Sequence, residues 1–227
     1  EALEILYKNV DEISEFRIIG GEPLMNREWA HIVKAIIDKN AESKICIYTN
    51  ATIVPNDNQL EFFHGKDVIF IITEYGKLSR NKDKLTEKLD QHGITYVSTP
   101  AQNWQDCSRI QHHKRTGPEL EEVFKQCCAK YLYTLLDEKL YRCPFIANAS
   151  NLKAMPDNPA NYVDLFSKTQ NIKQQLHRLV KADKFFPACD YCDGRPADRS
   201  STLGYDGKGM IAAGRQTPKP LSYTLYQ

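Results

Sequence analysis

Over the first hundred residues, short runs of β-branched and aromatic residues alternate with helical segments, and this rhythm limits the fold more than any other feature of the chain. Glu15 to Gly20, Lys44 to Asn50, Asp67 to Thr73 and Ile94 to Ser98 read as strands. Ala2 to Ser14 reads as a helix, with Leu3, Leu6, Val10 and Ile13 at helical spacing. Asn26 caps a second helix with the apolar stripe Trp29, Ile32, Val33, Ile36 and Ile37, stopping near Asn40. Asn58 to Phe63 makes a short helix, and Arg80 to His92 a longer one ending at Gly93. The third strand is apolar on both faces, as a central parallel strand is. Strict alternation predicts a parallel α/β layer with right-handed crossovers.

After Thr99 the rhythm breaks. Trp104 to Pro118 is polar and irregular, with a basic knot at His112-His113-Lys114-Arg115 that reads as a solvated loop, phosphate binding being the alternative. Glu119 to Lys125 reads as a helix, Tyr131 to Leu136 and Lys139 to Cys143 as a hairpin around Asp137-Glu138, and Asp164 to Val180 as another helix. The tail after Arg195 is expected to lie as an ordered coil. Two domains are expected, 1–105 and 106–227, and 227 residues suffice for a medium and a small core. A net charge of +1 gives no reason to expect nucleic acid or a membrane surface as partner. The longest apolar run, Val68 to Ile72, is far short of a membrane span, and with no signal peptide a cytoplasmic location is expected.

The strand ends carry the first candidate chemistry. Gly20-Gly21-Glu22-Pro23 closes the first strand with bare backbone, where carbonyls can approach a cation. Glu22 adds negative charge and Pro23 ends the ladder, so the place suits an ammonium group. Tyr48-Thr49-Asn50-Ala51-Thr52 closes the second strand with short hydrogen-bonding side chains, which either face a ligand or make an Asx turn. Ile72-Thr73-Glu74-Tyr75-Gly76 closes the third.

Cysteines carry the second. There are seven, an odd number in a long chain without a secretory signature, so a disulfide framework is not expected. Cys127, Cys128 and Cys143 flank the hairpin, and Cys189-Asp-Tyr-Cys192 forms a knuckle. Thiolates from these two places suit an iron–sulfur cluster or zinc. Cys46 reads as a core thiol. Cys107 reads as a buried thiol, a cavity-facing group or an extra ligand, and no histidine is given a role.

The Gly20-Gly21-Glu22-Pro23 segment resembles the GGEP of radical S-adenosylmethionine enzymes, and the endings at Thr49-Asn50 and Thr73 match that family's order and spacing. The resemblance implies that Gly20, Gly21, Glu22 and Pro23 hold the cofactor's amino group, Thr49 and Asn50 its ribose, and Thr73 the ribose or the substrate. The hairpin and knuckle resemble the twitch domain, a relative of SPASM, whose pattern Cys-x9–15-Gly-x4-Cys fits Cys128 and Cys143 with Glu138 in the glycine's place. That implies an auxiliary 4Fe-4S cluster on Cys128, Cys143, Cys189 and Cys192; Cys127 also meets the spacing and Cys107 is a further candidate. The implied fold is α/β: a partial (β/α) barrel of parallel strands lacking its first strand, then a small hairpin-plus-helix domain.

The family's Cys-x3-Cys-x2-Cys motif does not occur in the chain. The expectation is that the first strand and this loop lay upstream of Glu1 and that the chain as given is inactive. The full-length protein would carry a second 4Fe-4S cluster and S-adenosylmethionine. It would cleave that cofactor reductively to a 5′-deoxyadenosyl radical and abstract hydrogen from a sugar-like or peptide substrate. Its reductant would be a flavodoxin or ferredoxin. Two competing classes stand beside this: a non-catalytic zinc- or cluster-binding module on a vestigial α/β domain, and an α/β fold that binds a nucleotide for an unrelated transferase.

Overall fold

The structure is a computed structural model that describes residues 1–39, 42–101, 104–105, 110–168, 171–194, 210–211 and 224–226, with backbone alone for 104–105 and 210–211. Asn40, Cys107 and most of the tail after Arg195 lie outside the described residues. The chain divides into two compact units, Asp11–Gln102, and Glu1–Val10 with Asn103–Gln227. Helix α1 (Ala2–Asn9) therefore groups with the later unit. It ends five residues before Ser14 because Val10 is already extended (φ −121°, ψ 148°).

The unit Asp11–Gln102 is α/β. Strands β1 (Glu15–Ile18), β2 (Lys44–Thr49), β3 (Val68–Glu74) and β4 (Thr95–Pro100) form an open sheet in the order β1-β2-β3-β4. Every pairing is parallel, with Phe16 opposite Ile45, Ile47 opposite Phe70, and Ile71 opposite Val97. Helices α2 (Trp29–Lys39), α3 (Asp57–Glu61) and α4 (Lys82–Gln91) make the crossovers. Val68, Phe70 and Ile72 are fully buried, whereas Ile69 and Ile71 on the opposite face are half-buried. β3 is thus apolar on both faces but more deeply covered on one. The Trp29 ring meets Phe70 edge-on at 6.2 Å and Phe63 at 5.5 Å, locking α2 to the sheet. The buried stripe of α2 is Trp29, Ala30, Val33, Ile36 and Ile37; Ile32 is exposed.

In the second unit, β5 (Trp104–Gln105) pairs antiparallel with β9 (Met210–Ile211). Helix α5 (Gly117–Gln126) opens on a capping box between Thr116 and Glu119 and buries Leu120, Val123 and Phe124. The hairpin β6 (Thr134–Leu136) and β7 (Lys139–Tyr141) turns at Asp137 and Glu138, both at positive φ (45° and 66°). Helix α6 (Pro144–Asn151) follows directly, with Cys143 as its N-cap and Pro144 at its first position. Tyr162 to Asp164 is a third strand, β8, paired with β7. Asp164 belongs to this strand rather than to the expected helix, because its Oδ1 accepts the N–H of Phe166 at 2.9 Å and turns the chain. Helix α7 (Ile172–Lys181) starts later, capped by Asn171 Oδ1, which accepts from Gln174 N at 3.0 Å.

Arg142, at the end of β7, is 1 % exposed. Its guanidinium donates to the Tyr133 hydroxyl and, at 3.3 Å, to the Ala182 carbonyl. It lies 4.9 Å from the Tyr133 ring and 5.8 Å from that of Phe186. Aromatic faces compensate part of the cost of burying this cation. No helix among the described residues is long and apolar enough to cross a membrane.

Candidate functional site

At the carboxyl ends of the parallel strands, three loops are tied by side chains. Gly20 and Gly21 follow β1, and a Cβ built on either would meet nothing within 4 Å; neither has a left-handed φ. Neither packing nor backbone conformation calls for glycine here, and what the pair presents is bare peptide next to open space. Glu22 and Thr49 are both buried. The Glu22 carboxylate accepts from Leu24 N at 3.1 Å, from Asn50 N at 2.8 Å, and from Thr49 Oγ1 at 3.0 Å to each oxygen. These bonds nearly fill its lone-pair capacity, so its main occupation is to bolt the loop after β1 to the end of β2. Pro23 is buried at the head of the 3₁₀ turn that follows.

Asn50 makes the Asx turn: its Oδ1 accepts from Thr52 N at 2.9 Å and Thr52 Oγ1 at 2.6 Å. Thr49 Oγ1 also accepts from Ala51 N at 3.2 Å, so the hydroxyl is used on both sides. Thr73 is half-buried, and its carbonyl accepts from Ser79 Oγ at 3.3 Å. Next to it, Glu74 accepts from Ser98 Oγ at 2.6 Å and pairs with Lys82 at 3.1 Å; the Ser98 bond first and Lys82 second hold its carboxyl below the usual range. Gly20, Gly21, Glu22, Pro23, Thr49, Asn50 and Thr73 are thus brought to the carboxyl ends of the strands, with the Glu22 carboxylate, the Thr49 hydroxyl and the Asn50 side-chain oxygen already engaged by the fold.

The second constellation lies in the other unit. The six described cysteines are free thiols. Burial, followed by the neighbouring thiols of Cys143 and Cys127, pushes Cys189 up to about 12, while a backbone N–H and Arg115 act the other way. Cys192 is raised by burial and then by Cys143, Cys127 and Cys189. Four sulfurs from three parts of the chain are therefore electrostatic neighbours, and the first of them is Cys127. Cys128, the ligand favoured where both cysteines meet the spacing, is exposed. The physical reason is helical phase: Leu120, Val123 and Phe124 form the buried stripe of α5, and one more step along it reaches Cys127. That signal was present in the sequence.

Backbone amides already point at three of the sulfurs, from Ala129 to Cys127, Phe186 to Cys189 and Gly194 to Cys192, each at 3.4 Å. Such donors favour the thiolate over the thiol. Buried thiols held protonated are poor nucleophiles, and become ligands once a cation displaces their protons. Cys127, Cys143, Cys189 and Cys192 are the residues that could hold such a centre. Among the described residues, however, no three His, Cys, Asp or Glu side chains are assembled to hold a metal ion. One zinc would draw four sulfurs to about 3.8 Å of each other, as bonds of about 2.3 Å in a tetrahedron require. A cuboidal cluster, with several irons between its thiolates, asks for a looser arrangement.

The basic knot is a loop, exposed at His112 and Lys114 as expected, but it is tied to the knuckle. Ile110 bridges Cys192 in antiparallel fashion, Gln111 N donates to Tyr191 O at 3.2 Å, and His113 N donates to Asp190 O at 2.9 Å. His112 stacks on Tyr191 with ring centroids 5.0 Å apart and pairs with Asp190 at 2.8 Å. His113 Nε2 lies 3.2 Å from Asp193 Oδ1, and burial, then Arg115, keeps its imidazole below the usual range. Three of the four basic residues thus clasp the knuckle across a gap of more than seventy positions. Sequence spacing carries no sign of that pairing. A cleft of about 250 Å³ opens here, lined by His112, Asp190, Tyr191, Asn158, Asn161 and Met155.

No model of a known protein family matches the chain, and neither does the sequence of any curated protein.

Proposed function

We propose that this chain is part of a radical S-adenosylmethionine enzyme that abstracts hydrogen from a sugar-like or peptide substrate, with an auxiliary 4Fe-4S cluster in the unit that carries the thiols. What carries the reading is that Cys127, Cys143, Cys189 and Cys192 act electrostatically on one another, none of them in a disulfide and three with a backbone amide aimed at the sulfur. The cluster ligands in this reading are those four, with Cys128 left out.

The parallel sheet supports the other half of the reading. Strand order that runs strictly in sequence places successive helices on one face when the crossovers have the usual right-handed sense, as in a partial (β/α) barrel. A doubly wound nucleotide fold would reverse direction at a switch point, and the order β1-β2-β3-β4 has none. Gly20 and Gly21 offer the open backbone where the cofactor's amino group would sit, and Thr73 and the Asn50 amide lie on the same edge. The radical chemistry would be supplied by the cofactor and a cluster held by a cysteine triplet elsewhere in the full-length protein, with electrons from a flavodoxin or ferredoxin.

One observation favours the second reading, a non-catalytic cluster- or zinc-binding module. The Glu22 carboxylate is already engaged by Leu24, Thr49 and Asn50 and has little capacity left for an ammonium group. Anaerobic reconstitution of the full-length protein with iron and sulfide, followed by equilibrium dialysis with S-adenosylmethionine, separates the two. A brown protein that also retains the cofactor supports the enzyme; a brown or zinc-loaded protein that retains none supports the module. A colourless protein that keeps neither metal removes both.

A further inference from the structure

We propose that Arg115 is the positioning residue of the thiol site, clamping the Cys189–Cys192 knuckle in ligating shape and fixing it relative to Cys127. The inference rests on the reading of those thiols as cluster ligands.

One nitrogen of the Arg115 guanidinium donates to the carbonyl of Cys189 at 3.2 Å and to that of Cys192 at 2.8 Å. The two carbonyls that bracket the knuckle therefore converge on a single cationic donor. Without it, two oxygens carrying like partial charge would face each other, and the turn would relieve the repulsion by opening. Cys192 N also reaches Cys189 O at 3.4 Å, and Gln111 N and His113 N bond the carbonyls of Tyr191 and Asp190 between them, so Arg115 is what gathers the two cysteine carbonyls themselves. Arg115 is itself held in place, because its own N–H donates to Asp190 Oδ1 at 2.9 Å.

The next residue, Thr116, is the N-cap of α5, and Cys127 is the C-cap of the same helix. α5 packs back on the knuckle through Phe124, whose ring lies 6.3 Å from Phe186. A rigid rod thus joins the clamp at one end to a thiol at the other, and its ten residues set the spacing between Cys127 and the knuckle. Arg115 also draws the Cys189 thiol downward, against the effect of burial.

Outer partners that orient metal ligands are commonly worth 10–100-fold in metal retention. The test compares wild type, R115Q and R115K, each reconstituted anaerobically with ferrous iron and sulfide and then challenged with an iron chelator. R115Q is expected to lose its visible absorption about 10-fold faster or more, with the circular dichroism of the metal-free protein unchanged. R115K is expected to stay within about threefold of wild type, because one nitrogen makes both contacts.

R115Q that holds the cluster as long as wild type overturns the proposal and leaves the thiol reading standing. So does a folded R115K that loses it as fast as R115Q. Should R115Q not fold, R115K against wild type decides by the same threefold and tenfold limits. Wild type that takes up no cluster brings down the thiol reading and this inference with it.

Discussion

The carboxylate of Glu22 joins residues that are 27 and 28 positions away, and the cost of losing it follows from that. Hydrogen bonds to a buried charge contribute about 1.5–3 kcal/mol. Glu22→Gln puts an amide N–H against the donors of Leu24, Thr49 or Asn50, and is expected to lower the stability of Asp11–Gln102 by about that amount in urea titration. Glu138 is a position where change should help. Its φ of 66° strains a side chain, and the turn residue best suited to it is glycine. Glu138→Gly should raise stability by about 1 kcal/mol or less, read as a higher urea midpoint, since its carbonyl bond to Leu165 N is kept. The paired cysteines make a sharper contrast. Cys128→Ser should load iron and sulfide like wild type, whereas Cys127→Ser should lose at least half of its visible absorption on reconstitution.

At the scale of elements, the sheet end is held by ties that depend on pH. Ser98 and then Lys82 keep Glu74 ionised to lower pH than an unfolded chain would. With the folded carboxyl depressed, the unfolded state binds the proton more readily, so the contribution is present above the unfolded value and is lost as pH falls through the folded one. Glu74→Gln should flatten that part of the acid limb, measured as melting temperature against pH. The elements of this unit were legible because their signals are local. The Val68–Ile72 run and the stop at Gly93 (φ 63°) depend only on near neighbours. Elements in the other unit were less legible for the opposite reason. β8 is three residues long and is a strand because β7 lies beside it, and α6 follows so closely on Cys143 that no loop announces it.

At the scale of the molecule, the two units should answer differently to a ligand. Binding to the thiols stabilises the folded state of the unit that contains them by mass action. Hydrogen exchange before and after reconstitution should therefore show slower exchange in α5 and at the hairpin, with the amides of β2 and β3 unchanged. Equal slowing in β2 and β3 would mean that one cooperative transition covers the whole chain. What the sequence determined alone was periodicity: alternating strands and helices, the glycines that end β1, the hairpin and the knuckle, all set within a few residues by backbone and side-chain preference. Whether Glu22 serves a ligand or its own neighbour Thr49, and what Arg115 holds 74 and 77 positions away, were decided only by tertiary structure. Those choices rest on which surfaces meet when the elements pack, and an interaction between distant residues leaves no spacing for a sequence to display.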